Sequence, residues 1–287
     1  MDNSTKVPTV NISNKILHNL IMIDTPFLIT RVGCAIGIVT YCLEQNIQPS
    51  ASHLSNLQTH DGIYYNSLSE VKIFTTEYSK AIKNSTYLAA FPTLYTQVQN
   101  FLIKQYSKNV LHNRVLEPFY SILEKEKPWT HKLLGKRVLI VNPFIDSIKK
   151  NIDANFQMFT HEKIFLDGQD FVFYKSFNCL ANNRPHKNWI ETFEIMCNDI
   201  KEIEFDVALL GCGGYGLPLA NFIYEKMNKS AIYIGGGLQL LFGVMGKRWE
   251  DNNMWKKIMN ESQSKFIRPS GDEILKNKNM IENACYW

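Results

Sequence analysis

The stretch FDVALLGCGGYGLPLA at residues 205–220 decides the fold. Phe205–Leu210 is a short apolar run of the kind that forms a buried strand. Gly211, Gly213 and Gly216 follow in G-x-G-x-x-G spacing, and Pro218 stands where a first helical turn loses no donor. Strand, glycine turn and helix in this order form the unit of a parallel sheet. The free N–H groups at such a helix start favour an anion. Without a ligand, the same pattern is a tight strand-to-helix turn and nothing more.

Downstream, Ala231–Ile234 (AIYI) reads as the next strand and ends at Gly235-Gly236-Gly237. A dinucleotide enzyme places Asp or Glu near that strand end, so NAD is disfavoured. The apolar segment after it leaves through Gly246-Lys247-Arg248-Trp249. Lys247 or Arg248 suits a diphosphate, and Trp249 suits a base or sugar ring. The plainer alternative is a buried helix with a solvated Lys247-Arg248 pair, and for Arg248 an ion pair with its neighbours Glu250 or Asp251.

Upstream, Lys136–Asn142 (KRVLIVN) and Asp170–Phe177 (DFVFYKSF) read as two further strands. The turn Asn142-Pro143-Phe144-Ile145-Asp146-Ser147 offers Asp146 as a general base or, more simply, Asp146 or Ser147 as a helix N-cap. Trp189, Ile190, Phe193, Met196, Cys197, Ile200 and Ile203 share one helical face. Pro26–Arg31 reads as a short strand and Cys34–Glu44 as a helix. Ser67 and Glu70 have capping-box spacing at the head of another helix. Leu94–Tyr106 and Leu116–Glu126 add more helical pattern, which predicts a helical subregion in the N-terminal half. The predicted class is α/β: a Rossmann-like, mainly parallel sheet with helices on both faces. Residues 1–25 are expected to be an N-terminal extension and residues 26–287 a single domain.

Composition narrows the function classes. Hydrophobic residues make up 45% of the 287, which excludes a disordered chain. The net charge of +4 comes without a basic stripe, so no nucleic-acid partner is expected. Six cysteines without a C-x-x-C pair predict buried free thiols in a reducing compartment. The first fifteen residues are polar and Asp24 cuts short the apolar run before it, so no secretory signal is read. Val207–Tyr224 and Ser230–Gly246 are uncharged, but their glycines argue against membrane spans. The expectation is a cytoplasmic protein with no span, peripheral membrane association being allowed. Zinc spacings, a P-loop and a G-x-S-x-G elbow are all missing, as are D-x-D and D-x-E.

Five stretches carry a resemblance. They are ITRVG (29–33), KPWTHKLLGKRVLIVNPFIDSI (127–148), FDVALLGCGGYGLPLA (205–220), IGGGLQLLFGVMGKRW (234–249) and ENACYW (282–287). Together they resemble a family of bacterial and viral proteins with the GT-D glycosyltransferase-like fold, associated with surface-polysaccharide genes. The resemblance spans about Pro26 to Trp287. It implies a nucleoside-diphosphate sugar donor and a glycan or glycolipid acceptor. The family's R-x-G-D-G-E-like motif, whose acids handle metal and donor, is met here by Arg31-Val32-Gly33-Cys34-Ala35-Ile36. Arginine and glycine match but both acids are gone, which puts a divalent metal, and catalysis, in question.

The donor-binding residues expected from the strand ends and the resemblance are Arg31, Gly33, Asn142, Gly211, Gly213, Gly214, Tyr215, Gly216, Gly236, Gln239, Lys247, Arg248 and Trp249. Arg31 and Arg248 are expected to reach one anionic site. Asp61 and Asp146 are the candidate catalytic bases, and no metal ligand is assigned. Two other readings stand beside transfer. One is a nucleotide-sugar-binding protein that has lost its chemistry with its acids. The other is an S-adenosylmethionine-dependent methyltransferase, whose usual ribose-binding acid is replaced by Gly235.

Overall fold

A computed structural model describes residues 6–93 and 96–287. In chain order the elements are α1 (Val10–Met22), β1 (Leu28–Arg31), α2 (Cys34–Glu44), α3 (Ala51–Thr59), α4 (Leu68–Asn84) and β2 (Tyr87–Ala90). Then come α5 (Thr96–Gln105), β3 (Val110–His112), α6 (Phe119–Leu123), β4 (Arg137–Asn142), α7 (Ile145–Asp153) and β5 (Asp170–Lys175). The chain continues through α8 (Trp189–Lys201), β6 (Val207–Leu210), α9 (Gly216–Met227), β7 (Ser230–Tyr233), α10 (Lys247–Glu250) and α11 (Asn253–Glu261).

All seven strands are parallel, in the order β3-β2-β1-β7-β6-β4-β5. Period-two alternation gives the inner strands two buried faces, while the edge strands β3 and β5 are partly open. Val138 and Ile140 of β4 face one core, with Leu17 of α1, Ile148 of α7 and Trp255 of α11. Leu139 and Val141 face the other, with Val39 of α2, Phe74 of α4, Trp189 of α8 and Leu219 of α9. The α/β class with helices on both faces is therefore as expected. Among the described residues, no helix is long and apolar enough to cross a membrane.

The order of strands fixes where a ligand sits. From β1 the chain leaves over one face of the sheet through α2, while from the neighbouring β7 it leaves over the other face through residues 236–242. From β4 it moves outward to β5, whereas β6 leads back to β7. The sheet thus has two topological switch points, β1/β7 and β4/β6. At such points the connections diverge and open a crevice beyond the strand carboxyl ends.

Local differences from the sequence reading have physical causes. The stretch expected as an extension is, over Val10–Met22, an integral helix that buries Leu17 and Ile21 in the core. The helix expected over Leu116–Glu126 breaks at Pro118, which lacks a donor N–H: a 3-10 turn covers Asn113–Leu116 and α6 begins at Phe119. Of the helix expected at Leu94–Tyr106, residues 94 and 95 lie outside the described residues, and α5 begins at Thr96. The segment after the triple glycine is a 3-10 helix, Gly236–Phe242, entered through Gly235 at φ +81 and ψ −152. That backbone region is essentially reserved for glycine.

At the head of α4, Ser67 Oγ accepts from Glu70 N–H as the capping box requires. The Glu70 carboxylate reaches Asn66 N–H (2.7 Å) and the Asn188 amide (2.7 Å), tying the start of α4 to the start of α8. Cys42, Cys179, Cys197, Cys212 and Cys285 are free and buried; the Cys34 side chain lies outside what is described.

Candidate functional site

A cavity of about 520 Å³ opens at the carboxyl ends of β1, β4, β6 and β7, spanning both switch points. That volume is in the range that holds a small-molecule ligand. Arg31, Gly33, Asp61, Asn142, Gly211, Gly213, Tyr215, Gly236, Gln239 and Arg248 all line it. Arg31 and Arg248, 217 positions apart in sequence by their numbers, thus face the same space.

Arg31 leaves the end of β1. Its Nη1 donates to the Ile234 carbonyl at 3.0 Å, and its guanidinium lies 5.8 Å from the Phe91 ring centre and 6.0 Å from that of Tyr233. Its Nε is shielded from solvent and has no partner. Gly235 lets the guanidinium lie flat on the backbone, since a Cβ there would stand 3.2 Å from it.

Asp61 enters the cavity from the turn after α3. Its main-chain carbonyl accepts from Gly214 N–H at 2.8 Å, so the glycine loop is packed onto this residue. Its carboxylate lies near Ile36 N–H in the first turn of α2, while Oδ2 is shielded and unpartnered. Burial raises its pKa to about 7, outweighing the Ile36 hydrogen bond. A carboxyl poised there suits general acid–base chemistry near neutral pH.

Other expected residues have structural duties. Asn142 Nδ2 donates to Gly211 O and its Oδ1 accepts from Phe144 N–H, each at 2.9 Å, so its amide joins two turns. Gln239 Nε2 donates to Val244 O and Tyr286 O, each at 3.1 Å. Gly214 lies behind the wall against Ile63, and a Cβ on Gly216 would stand 2.2 Å from the Tyr233 ring. Lys247 and Trp249 lie outside the lining; Trp249 packs on Tyr286 with ring centres 6.2 Å apart.

Arg248 pairs, though with neither sequence neighbour. Its Nη2 donates to Glu282 at 2.6 Å, and the guanidinium stacks 4.7 Å from the Tyr286 ring centre. Glu250 is taken by Arg268.

Asp146 stands apart from the cavity. It is exposed in the first turn of α7 and accepts from Lys175, which also pairs with Asp272 at 2.8 Å. Neither Asp146 nor Ser147 caps α7. The buried Glu273 carboxylate does so, accepting from Asp146 N–H (2.9 Å), Ser147 N–H (3.1 Å) and the Ser147 hydroxyl.

Several cavity residues escaped the sequence reading. His53, Asn56 and His60 come from α3 and its end, and Asn178 from the connection after β5. The i, i+3, i+7 spacing of the first three puts them on one helical face, a signal the sequence does carry. His53 Nδ1 and Asn178 Nδ2 are buried without partners. Glu117, which lies outside the lining, was missed as well. Its carboxylate lies against Gly237, where a Cβ would stand 2.0 Å from Oε1. Burial raises its pKa, opposed by the charges of Arg31, Arg114 and Arg248.

The metal implied by the resemblance does not fit these residues. Positions 34–36 hold no carboxylate, and among the described residues no three His, Cys, Asp or Glu side chains converge as a ligand set. Compared with protein-family models, curated proteins and solved structures, the chain matches none of them.

Proposed function

We propose that this cavity binds a nucleoside-diphosphate sugar and that the protein transfers the sugar to a glycan or glycolipid acceptor in surface-polysaccharide assembly. One observation carries the reading. Arg31 Nε, His53 Nδ1, Asp61 Oδ2 and Asn178 Nδ2 are buried polar atoms without a partner, and all four belong to residues lining this one cavity. Unpartnered buried polar atoms are costly, so four of them on the residues of one cavity support a place for a polar ligand.

In this reading Arg31 meets the diphosphate with a planar fork, and Asn178 supplies a further donor. Asp61 takes the proton of the acceptor hydroxyl. The hydroxyl oxygen then bonds to the anomeric carbon, the bond from that carbon to the diphosphate oxygen breaks, and the nucleoside diphosphate leaves with its charge facing Arg31. Arg248, already tied to Glu282, shapes the wall and adds field rather than a free fork.

A second reading, donor binding without transfer, is favoured by the run Cys34-Ala35-Ile36, which carries no acid where the motif of the resemblance has two. The test is release of nucleotide from UDP, GDP, CMP and TDP sugars between about pH 5.5 and 9, for wild type and Asp61→Asn. Transfer predicts a rate that climbs as pH rises through about 7, where Asp61 becomes a base. Binding with no turnover above that of Asp61→Asn would leave the non-catalytic reading.

A further inference from the structure

A larger hollow, about 850 Å³, lies between the end of α2, the 45–50 connection, α4 and the end of α5. It shares no lining residue with the strand-end cavity. Leu43, Leu54 and Val71 give it an apolar wall, and the half-exposed Ile47 and Leu68 form its rim. Glu44 stands in this wall. Its Oε1 accepts from the Ser79 hydroxyl and, at 2.6 Å, from the Tyr106 hydroxyl, while its Oε2 is shielded and has no partner.

The charge of Glu44 is also unmatched. No ion pair to Glu44 forms among the described residues. The hollow's basic residue, Lys72, is exposed and lies beyond ion-pair distance from it. A part-buried carboxylate with one unpartnered oxygen and no cation beside it favours a cation in the hollow. A metal ion is a poor fit, since no second or third metal-binding side chain converges there.

We propose that this hollow is a second binding site, for a small organic cation carrying a primary ammonium on an aliphatic body. The aliphatic part lies along Leu43, Leu54 and Val71. The ammonium meets the Glu44 carboxylate, which lines the hollow and is held in place by the Ser79 and Tyr106 hydroxyls. This site is independent of the transferase reading.

The full chain would be titrated by calorimetry and saturation-transfer NMR with n-hexylammonium, n-hexanol and hexanoate. The proposal expects hexylammonium to bind about tenfold or more tighter than hexanol, and hexanoate to show no saturable binding. Glu44→Gln, which keeps the shape and removes the charge, should bring hexylammonium down to the level of hexanol. Leu68→Trp, at the exposed rim, should weaken both and serves if Glu44→Gln does not fold. Equal binding of hexylammonium and hexanol by wild type would overturn the proposal. So would an unchanged affinity in either variant, or no saturable binding of any probe.

Discussion

The turn after β4 and the wall built from β1, α3 and the connection after β5 lie at the same end of the sheet, yet treat their polar groups in opposite ways. In the turn, Asn142 is bonded at both ends, Asp146 accepts from Lys175, and Glu273 caps the N–H groups of α7. In the wall, Arg31, His53, Asp61 and Asn178 each keep a buried atom without a partner. A region that only has to hold its shape satisfies its donors and acceptors internally. A region that must take a ligand keeps them open, at a cost in stability.

That contrast is broken most forcefully at Asp61. Asp61→Asn is expected to lower kcat/KM about 10²–10⁴-fold if Asp61 is the base. The same change should stabilise the fold at alkaline pH. The folded pKa of about 7 exceeds the ordinary carboxyl value, so the folded state loses stability as pH rises from about 4 to about 7, and holds level above. Asp61→Asn should therefore be more stable than wild type at pH 8, by up to about 4 kcal/mol, with the gap closing toward pH 4. Melting curves across that range check the sign. A variant that is inactive and also less stable at pH 8 would place Asp61 among the structural groups.

On the closed side, Glu273→Ala strands the N–H groups of Asp146 and Ser147. It should cost about 2–4 kcal/mol of stability, seen in urea unfolding, with nucleotide-sugar affinity kept. Arg31→Lys is expected to weaken donor binding about ten- to a hundredfold by calorimetry, with a smaller change in melting temperature. Asp146→Asn marks the lower end. Its ion pair is exposed, so it should change stability by less than about 1 kcal/mol and leave turnover unaltered.

How far the sequence discloses this arrangement depends on what each residue relies on. β4, β6 and β7 are legible because Val138–Val141, Val207–Leu210 and Ala231–Tyr233 are apolar runs with glycine or Asn-Pro punctuation behind them. β2 and β3 are not. Tyr87–Ala90 contains two alanines and no β-branched residue, Val110–His112 has three residues, and both become strands by pairing outward from β1. The same division runs through the site. Arg31, Gly211 and Gly236 can be placed because they sit at strand ends. Asn178 and the Glu282 partner of Arg248 arrive on connections whose path across the cavity depends on packing rather than on local pattern. Asp61 lies between: a carboxylate visible in sequence, whose position against the 211–216 loop only the fold provides.

If the unpartnered polar atoms of the strand-end cavity are ligand contacts, donor binding depends on the residues that carry them. The most direct measurement is a thermal-shift and calorimetric panel of UDP, GDP, CMP and TDP sugars beside S-adenosylmethionine, run on wild type, Arg31→Lys and Asp146→Asn. At least one nucleoside-diphosphate sugar should stabilise wild type and Asp146→Asn equally and Arg31→Lys far less. Stabilisation by S-adenosylmethionine alone, or equal sugar-nucleotide binding by all three proteins, would contradict it.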